Sequence, residues 1–325
     1  MRRLLLFLTA LTAASSQSTP DIRVDVNLVT VAASVTDRNG APAQGLHRED
    51  FALLDNGEPR EIKYLWQEID LPLTVGLIAD VSGSQSGLVA KHRQTVKQFL
   101  KQVIGPRDRA FIVTVARDVK LVTDLTNSID DLSEGVEHIQ QGQRYGTQLG
   151  EPCRGPDAPP RGRRRLFGCG GTALWNGVYA AARLKMKGVS GRKALIVLSD
   201  GLDTGSTHSL TDAIEAAQGA DTLVYTIREI SLAMEIMVPA FAVKAHQDHS
   251  LQRLSEETGG RAFPGPRGSP AALFSQIETE LRSLYVLGFT PPESAHDGKT
   301  RSLLVKTAPA GFIVRARKAY ALPPG

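Results

Sequence analysis

The sequence predicts an α/β fold, a doubly wound and mostly parallel sheet, joined to a small β-sandwich that both ends of the chain complete. Three observations predict it. Leu73–Ala79 and Ala194–Leu198 are near-continuous apolar runs, the composition of strands buried on both faces. Amphipathic helical stripes alternate with such runs through the middle of the chain, the order that builds a parallel sheet. Shorter β-segments occupy both ends instead. With 325 residues, 42% hydrophobic and 22% charged, the chain has material for a real core and little of the character of a disordered one.

Met1-Arg2-Arg3, an apolar run from Leu4 to Leu11 and the small residues Ala13-Ala14-Ser15-Ser16 read as a signal peptide over residues 1–16. The run is shorter than the ~20 residues a membrane span needs, although an N-terminal anchor is the alternative. No Cys follows to accept a lipid, and no later stretch is apolar enough to span a bilayer. The expected location is therefore secreted or periplasmic, with no span in the mature chain.

Residues 20–69 form an N-terminal β-segment. Ile22–Val35 alternates at period two, Asn39-Gly40 supplies a hairpin signal, and Phe51–Leu54 meets Asp55-Asn56-Gly57 before a strand near Ile62–Trp66. Residues 70–284 carry the α/β pattern. After the strand at Leu73 comes a helix with Val96, Phe99, Leu100, Val103 and Ile104 on one stripe. A strand at Ala110–Val115, a helix near Ile129–Ile139 and a helix over Thr172–Met186 precede the second buried strand. Ser209 and Asp212 have capping-box spacing, Gly219 closes that helix, and a strand follows at Thr222–Ile227. A helix near Leu251–Glu257 stops at Gly259-Gly260. Ser269-Pro270 opens the last helix, striped by Leu273, Ile277, Leu281 and Leu284. Residues 285–321 return to β character and are expected to pair with residues 20–69.

The formal charge is +4 and the isoelectric point about 9.1, but the charge is local. Gly142–Gly168 holds six arginines against Glu151 and Asp157. Once Arg2 and Arg3 leave with the signal, the remainder is about −2. No basic face is tied to a reading element, so nucleic-acid binding is not expected. Arg163-Arg164-Arg165 reads as a solvated loop or as a feature that steers an acidic partner. In an exported chain, Cys153 and Cys169 within the same 142–169 loop read as one disulfide. Two cysteines with no nearby His do not make a zinc site.

The chemistry is concentrated after the buried strands. Asp80-Val81-Ser82-Gly83-Ser84 follows the first one directly, and Asp200 follows the second in Leu198-Ser199-Asp200-Gly201. Thr172 opens a helix after Gly170-Gly171. Ligands of doubly wound sheets bind beyond the carboxyl ends of strands, where these residues fall. Their carboxylates and hydroxyls are hard oxygens suited to a hard cation. The bland alternative is that Asp80 and Ser82 cap a helix and Asp200 makes a turn. His246 and His249 have metal-pair spacing but lack accompanying carboxylates, and surface positions are expected. Gly83–Gly87 has Gln85 where a nucleophile elbow needs Ser, and no phosphate-cradling lysine loop follows the first strand.

The order and spacing of Asp80, Ser82, Ser84, Thr172 and Asp200 resemble the metal-ion-dependent adhesion site of von Willebrand factor type A (VWA) domains, over roughly residues 70–284. The resemblance implies that the three hydroxyls ligate the metal directly and the two carboxylates hold it largely through water. The whole chain also resembles a secreted VWFA-related family described from acidobacteria. That likeness is carried by Asp50-Phe51-x-Leu53-x-Asp55-Asn56-Gly57, Thr258-Gly259-Gly260-Arg261-Ala262-Phe263, Tyr285-x-Leu287-Gly288-Phe289 and Val314-Arg315-Ala316-Arg317. The long Arg-rich, Cys-bearing loop departs from its pattern.

The expected function is a secreted, metal-dependent protein-binding or adhesion module, not an enzyme. Mg²⁺, or Mn²⁺ or Ca²⁺ in its stead, would capture an Asp or Glu carboxylate of a protein ligand. A structural protein of the cell envelope with a vestigial metal site is the alternative, and a metal-dependent hydrolase a further one. Hydrolysis would need a base, and His208 is the only histidine near these loops in sequence.

Overall fold

The computed structural model describes residues 28–67, 71–82, 88–139, 172–228, 241–264, 270–308 and 310–324. The expected signal peptide, Ser84, and the 142–169 loop with Cys153, Cys169 and Arg163–Arg165 lie outside the described residues.

Four strands come first: β1 (Val29–Thr36), β2 (Phe51–Asp55), β3 (Glu58–Arg60) and β4 (Ile62–Trp66). Six belong to the central sheet: β5 (Leu73–Asp80), β6 (Arg109–Val115), β7 (Val119–Thr126), β8 (Arg192–Ser199), β9 (Leu223–Arg228) and β10 (Ala262–Phe263). The last four are β11 (Tyr285–Phe289), β12 (Arg301–Thr307), β13 (Ile313–Ala316) and β14 (Ala319–Tyr320).

The central sheet runs β10-β9-β8-β5-β6-β7. All its pairs are parallel except β6 with the edge strand β7. Every residue of β5 is buried, because it lies mid-sheet with helices on both faces. On one face, its Leu73, Val75, Leu77 and Ala79 share a core with α1 (Leu88–Val103), α2 (Ile129–His138) and a later helix, Pro270–Arg282. On the other, Ile78, Phe111 and Val197 pack on α3 (Leu174–Ala180), α4 (Leu210–Gly219) and α5 (Phe241–Thr258). The Pro270–Arg282 helix is α6. Helices on both faces of a mostly parallel sheet make the fold doubly wound, in agreement with the sequence.

The two chain ends form two four-stranded sheets, β13-β1-β11-β4 and β14-β12-β2-β3, each mixing strands from before and after the α/β unit. β1 lies antiparallel between β11 and β13, and β2 between β12 and β3. Alternation sends Val29, Val31, Ala33, Leu53, Leu287, Phe289, Leu303 and Val305 into one shared core. Asn56 (φ 50°) and Gly57 (φ 83°) turn β2 into β3, the two-residue hairpin that Asn-Gly favours. Beneath them, fully buried Asp55 takes both nitrogens of the Arg301 fork at 2.8 Å each. Arg317 joins this sandwich to the α/β unit. Its guanidinium donates to Thr30 O in β1 (2.7 Å) and to Gln218 O in α4 (3.1 Å), and it pairs with Asp221 at 3.0 Å.

Four features differ from the sequence expectation. β7 has an interrupted pattern, half exposed and with two register shifts against β6, as an antiparallel edge permits. β10 is only two residues long, too short to carry a period. The helix expected over Thr172–Met186 is α3 followed by a π-helical turn, Ala181–Met186, and nothing in those six residues demands the wider turn. α5 begins at Phe241, ten residues before the apolar stripe that marks it. No described helix is long and apolar enough to cross a membrane.

Asp108 ties three elements together. Its carboxylate accepts from the N–H of Leu73 at the start of β5 (2.7 Å) and of Gly105 after α1 (2.9 Å), and pairs with Arg282 at the end of α6. Burial pushes the carboxyl up, but Arg282 and the two N–H donors together bring it below the usual range. A depressed folded value contributes stability above the unfolded pKa of ~4, which is lost as pH falls through the folded value. Asp108→Asn is therefore expected to be less stable at pH 7 and to lose less on acidification. Urea unfolding between pH 7 and pH 2 checks this, and parallel acid limbs for the two proteins would contradict it.

Candidate metal centre

Asp80 ends β5 and Ser199 ends β8. Parallel pairing of Ala79 with Leu198 sets those ends side by side, and the Ser199 hydroxyl donates to Asp80 Oδ2 at 2.7 Å. The N–H of Ser82 donates to Asp80 Oδ1 at 2.9 Å, curling the chain back beyond the strand. One residue past β8, Asp200 Oδ1 accepts from the N–H of Leu202 at 2.9 Å. Gly201 (φ 80°) turns there in a conformation that suits glycine, and its N–H reaches Ser199 Oγ. Asp80, Ser82 and Asp200 are 2%, 8% and 4% exposed.

These positions bring two buried carboxylates close enough for the charge of one to act on the other. Burial pushes the Asp80 carboxyl up, the charge of Asp200 pushes it further, and hydrogen bonds from Ser82 and Ser199 pull back, leaving it at about 7. Like charges desolvated together are costly unless a proton or a cation joins them. The donor set therefore fits a divalent ion: anionic and neutral oxygens with no soft ligand among them.

Thr172, 4% exposed, is fixed from two sides. The N–H of its neighbour Ala173 donates to Ala116 O, just past β6, at 2.6 Å. Its own N–H donates to Thr204 Oγ1 at 3.1 Å, and its carbonyl accepts from the N–H groups of Thr204 and Gly205 at 3.0 Å each. Thr172 thus lies between the carboxyl end of β6 and the loop that follows Asp200. Helix α3 sits close to the sheet because Gly177 faces Val115, where a Cβ would collide with the valine side chain.

The loop after Asp200 supports this helix in a way the sequence reading missed. Ala173 at the N-cap of α3 provides no side-chain cap. Asp203 substitutes from the other loop, its Oδ1 accepting from the N–H groups of Leu174 (2.8 Å) and Trp175 (3.3 Å). Asn176 Oδ1 answers in return, accepting from the N–H groups of Thr207 and His208. Ser199 was missed as well. Its position one residue before Asp200 is visible in sequence, but its meeting with Asp80 depends on strand register. His208 stacks on Tyr179, with ring centroids 3.7 Å apart. His249 is exposed, as expected, and the side chain of His246 lies outside the described residues. Among the described residues no three of His, Cys, Asp and Glu cluster to hold a metal, so a metal here depends on the serine and threonine hydroxyls.

No protein-family model matches the chain, and no curated protein matches it. Among solved structures it is similar to the conserved hypothetical protein BatB from Bacteroides thetaiotaomicron, at 14% identity over 65% of this chain and 100% of that one, with a TM-score of 0.43. It is also similar to proximal thread matrix protein 1 from the mussel byssus, solved with a zinc-occupied MIDAS motif, at 12% identity over 70% of this chain and a TM-score of 0.46. The chain spans about half of that protein, 49%. A third is an aerotolerance-related membrane protein from Bacteroides fragilis, at 14% identity over 64% of this chain and 98% of that one, TM-score 0.43. The α/β assignment rests on the sheet order and helix placement of this chain itself.

Asp203→Ala removes a cap supplied across two loops. It is expected to cost about 1–2 kcal/mol of stability, whereas Asp203→Asn, still able to accept, retains most of it. Urea unfolding of both variants decides, and equal losses would show that Asp203 does not act as the cap.

Proposed function

We propose that the chain is an extracytoplasmic protein-binding module of the adhesion type, without catalytic activity, that captures an acidic side chain of a protein ligand through a divalent cation. The observation that carries this is the pair of buried, mutually repelling carboxylates, Asp80 and Asp200, with the Ser82 and Ser199 hydroxyls bonded to Asp80 at the carboxyl edge of the sheet.

Asp80, Ser82, Ser84, Thr172 and Asp200 would hold the ion, Mg²⁺ with Mn²⁺ or Ca²⁺ as substitutes. Its chemistry in such a site is to accept one further oxygen ligand from outside the chain. The protein's own residues set the terms. Asp80 and Asp200 supply the negative charge, Ser199 orients Asp80, and Asp203 steadies the helix that begins beside Thr172. Serine and threonine add oxygens without adding charge, which leaves room for a carboxylate from a partner. The non-catalytic part of the proposal draws on His208, the histidine nearest these loops in sequence, whose ring is stacked on Tyr179.

Two experiments test this. In metal-free protein, Asp80→Asn is expected to raise the melting temperature by relieving like-charge repulsion, and also to abolish the rise that Mg²⁺ gives the unaltered chain. An equal Mg²⁺-dependent rise in the two proteins would exclude Asp80 as a ligand. In a pull-down from the native envelope, EDTA and Asp80→Ala are each expected to remove the partner that the unaltered protein retains with Mg²⁺. Retention under EDTA would move the contact to the sandwich, where Tyr64, Leu304 and Ile313 are exposed.

A further inference from the structure

Helix α3 begins at the rim of the candidate metal centre, beside Thr172, and continues through the π-helical turn Ala181–Met186. Its inner side is core, with Leu174, Val178, Ala182 and Met186 buried. Its outer side carries Tyr179, Arg183 and Lys187 at every fourth position, neighbours along a helical surface. Beside them stands Leu184, at 77% the most exposed large apolar side chain among the described residues.

The upper part of this stripe is ordered from the rim. The His208 ring, from the loop that follows Asp200, stacks on Tyr179, and Arg183 lies over the same ring, 6.0 Å from its centroid. Asn176 Oδ1 holds that loop against the helix by accepting from the N–H groups of Thr207 (3.1 Å) and His208 (3.0 Å). Tyrosine and arginine are residue types that contacts between proteins favour.

The charge of the stripe is positive and unanswered. Arg183 and Lys187 form no ion pair among the described residues, whereas Lys185 between them is neutralised by Asp124 at 2.6 Å. Asp203 is engaged as the cap of α3, and Asp212 by the N–H and hydroxyl of Ser209. Glu215, on the adjacent α4, pairs with neither cation. Two cations one turn apart repel unless an anion lies across them.

We propose that this stripe is the second contact for the partner whose carboxylate the metal centre captures, and that the partner presents an acidic polypeptide segment. This rests on the metal-centre reading above. At a helical rise of ~1.5 Å per residue, Arg183 and Lys187 stand about 14 and 20 Å along the axis from Leu174. An extended chain rises ~3.3 Å per residue, so acids about four and six positions beyond the metal-bound one come level with them. Leu184 offers an apolar contact between the two charges. A ligand with a single acid would leave the whole stripe unused.

Fluorescence anisotropy of a labelled decaglutamate peptide tests this, with decaglutamine as the uncharged control. The expected result is Mg²⁺-dependent binding of decaglutamate and none of decaglutamine. Joint Arg183→Ala and Lys187→Ala substitution is expected to weaken binding roughly fivefold or more and to flatten its dependence on salt. Both side chains are exposed, so the double variant keeps the Mg²⁺-dependent rise in melting temperature. Lys306→Ala, which removes an exposed cation on the sandwich, is expected to change nothing. Undiminished affinity in the double variant, an equal loss in Lys306→Ala, or no binding of decaglutamate would each overturn the stripe. Failure of the metal reading looks different: EDTA and Asp80→Asn would leave the affinity intact while the double variant still lost it.

Discussion

The parallel pairing of β5 with β8 is the constraint on which the candidate site depends. Register alone sets Asp80 opposite the end of β8, so that Ser199 reaches one of its oxygens and Asp200 faces it as a second charge. A central strand with all eight residues buried carries no adjacent solvent to relieve that repulsion. The fold therefore concentrates negative potential at one edge, and the strength of the effect comes from burial rather than from the number of acids. Two carboxylates at the surface would be nearly independent; here one raises the other.

Much of the remaining architecture holds this edge in shape. Thr172 belongs to a segment far from both acids in sequence, and backbone hydrogen bonds to Ala116 and to the Thr204–Gly205 loop bring it to the same edge. Asp203 and Asn176 cap and countercap across two loops, so that α3 and the segment after Asp200 depend on one another. Gly177 permits the close approach of α3 to β6. Each of these is a short-range contact, yet together they join three separate stretches of chain into one rim.

The parts of this arrangement that could be read from sequence are those that depend on local composition. β5 and β8 announce themselves as unbroken apolar runs, and Ser209 with Asp212 forms the capping box their spacing suggests. The site acids fall where strands end, and strand ends are visible. β7 was not legible because an edge strand needs only one face covered and can carry Lys120 and Asp124. Asp203 was not legible as a cap because it serves Leu174 and Trp175, 29 and 28 positions earlier in the chain. Contacts of that kind are set by topology, and periodicity carries no trace of them.

The sandwich has a mechanical consequence. The chain enters the α/β unit after Trp66 and leaves it at Tyr285, and these two points are neighbours, because Val286 pairs with Trp66 across β4 and β11. The unit is tethered covalently to the sandwich at two adjacent points, beside the seam that Arg317 fastens. Both tethers meet the amino-terminal end of β5, whereas the carboxylates crown its far end, about 23 Å away across the seven rises of an eight-residue strand. Tension from anything gripped at the rim would run down the length of the most deeply buried strand and arrive at two antiparallel ribbons side by side, which share the load. A chain threaded once through its two halves would have concentrated the same pull on a single linker.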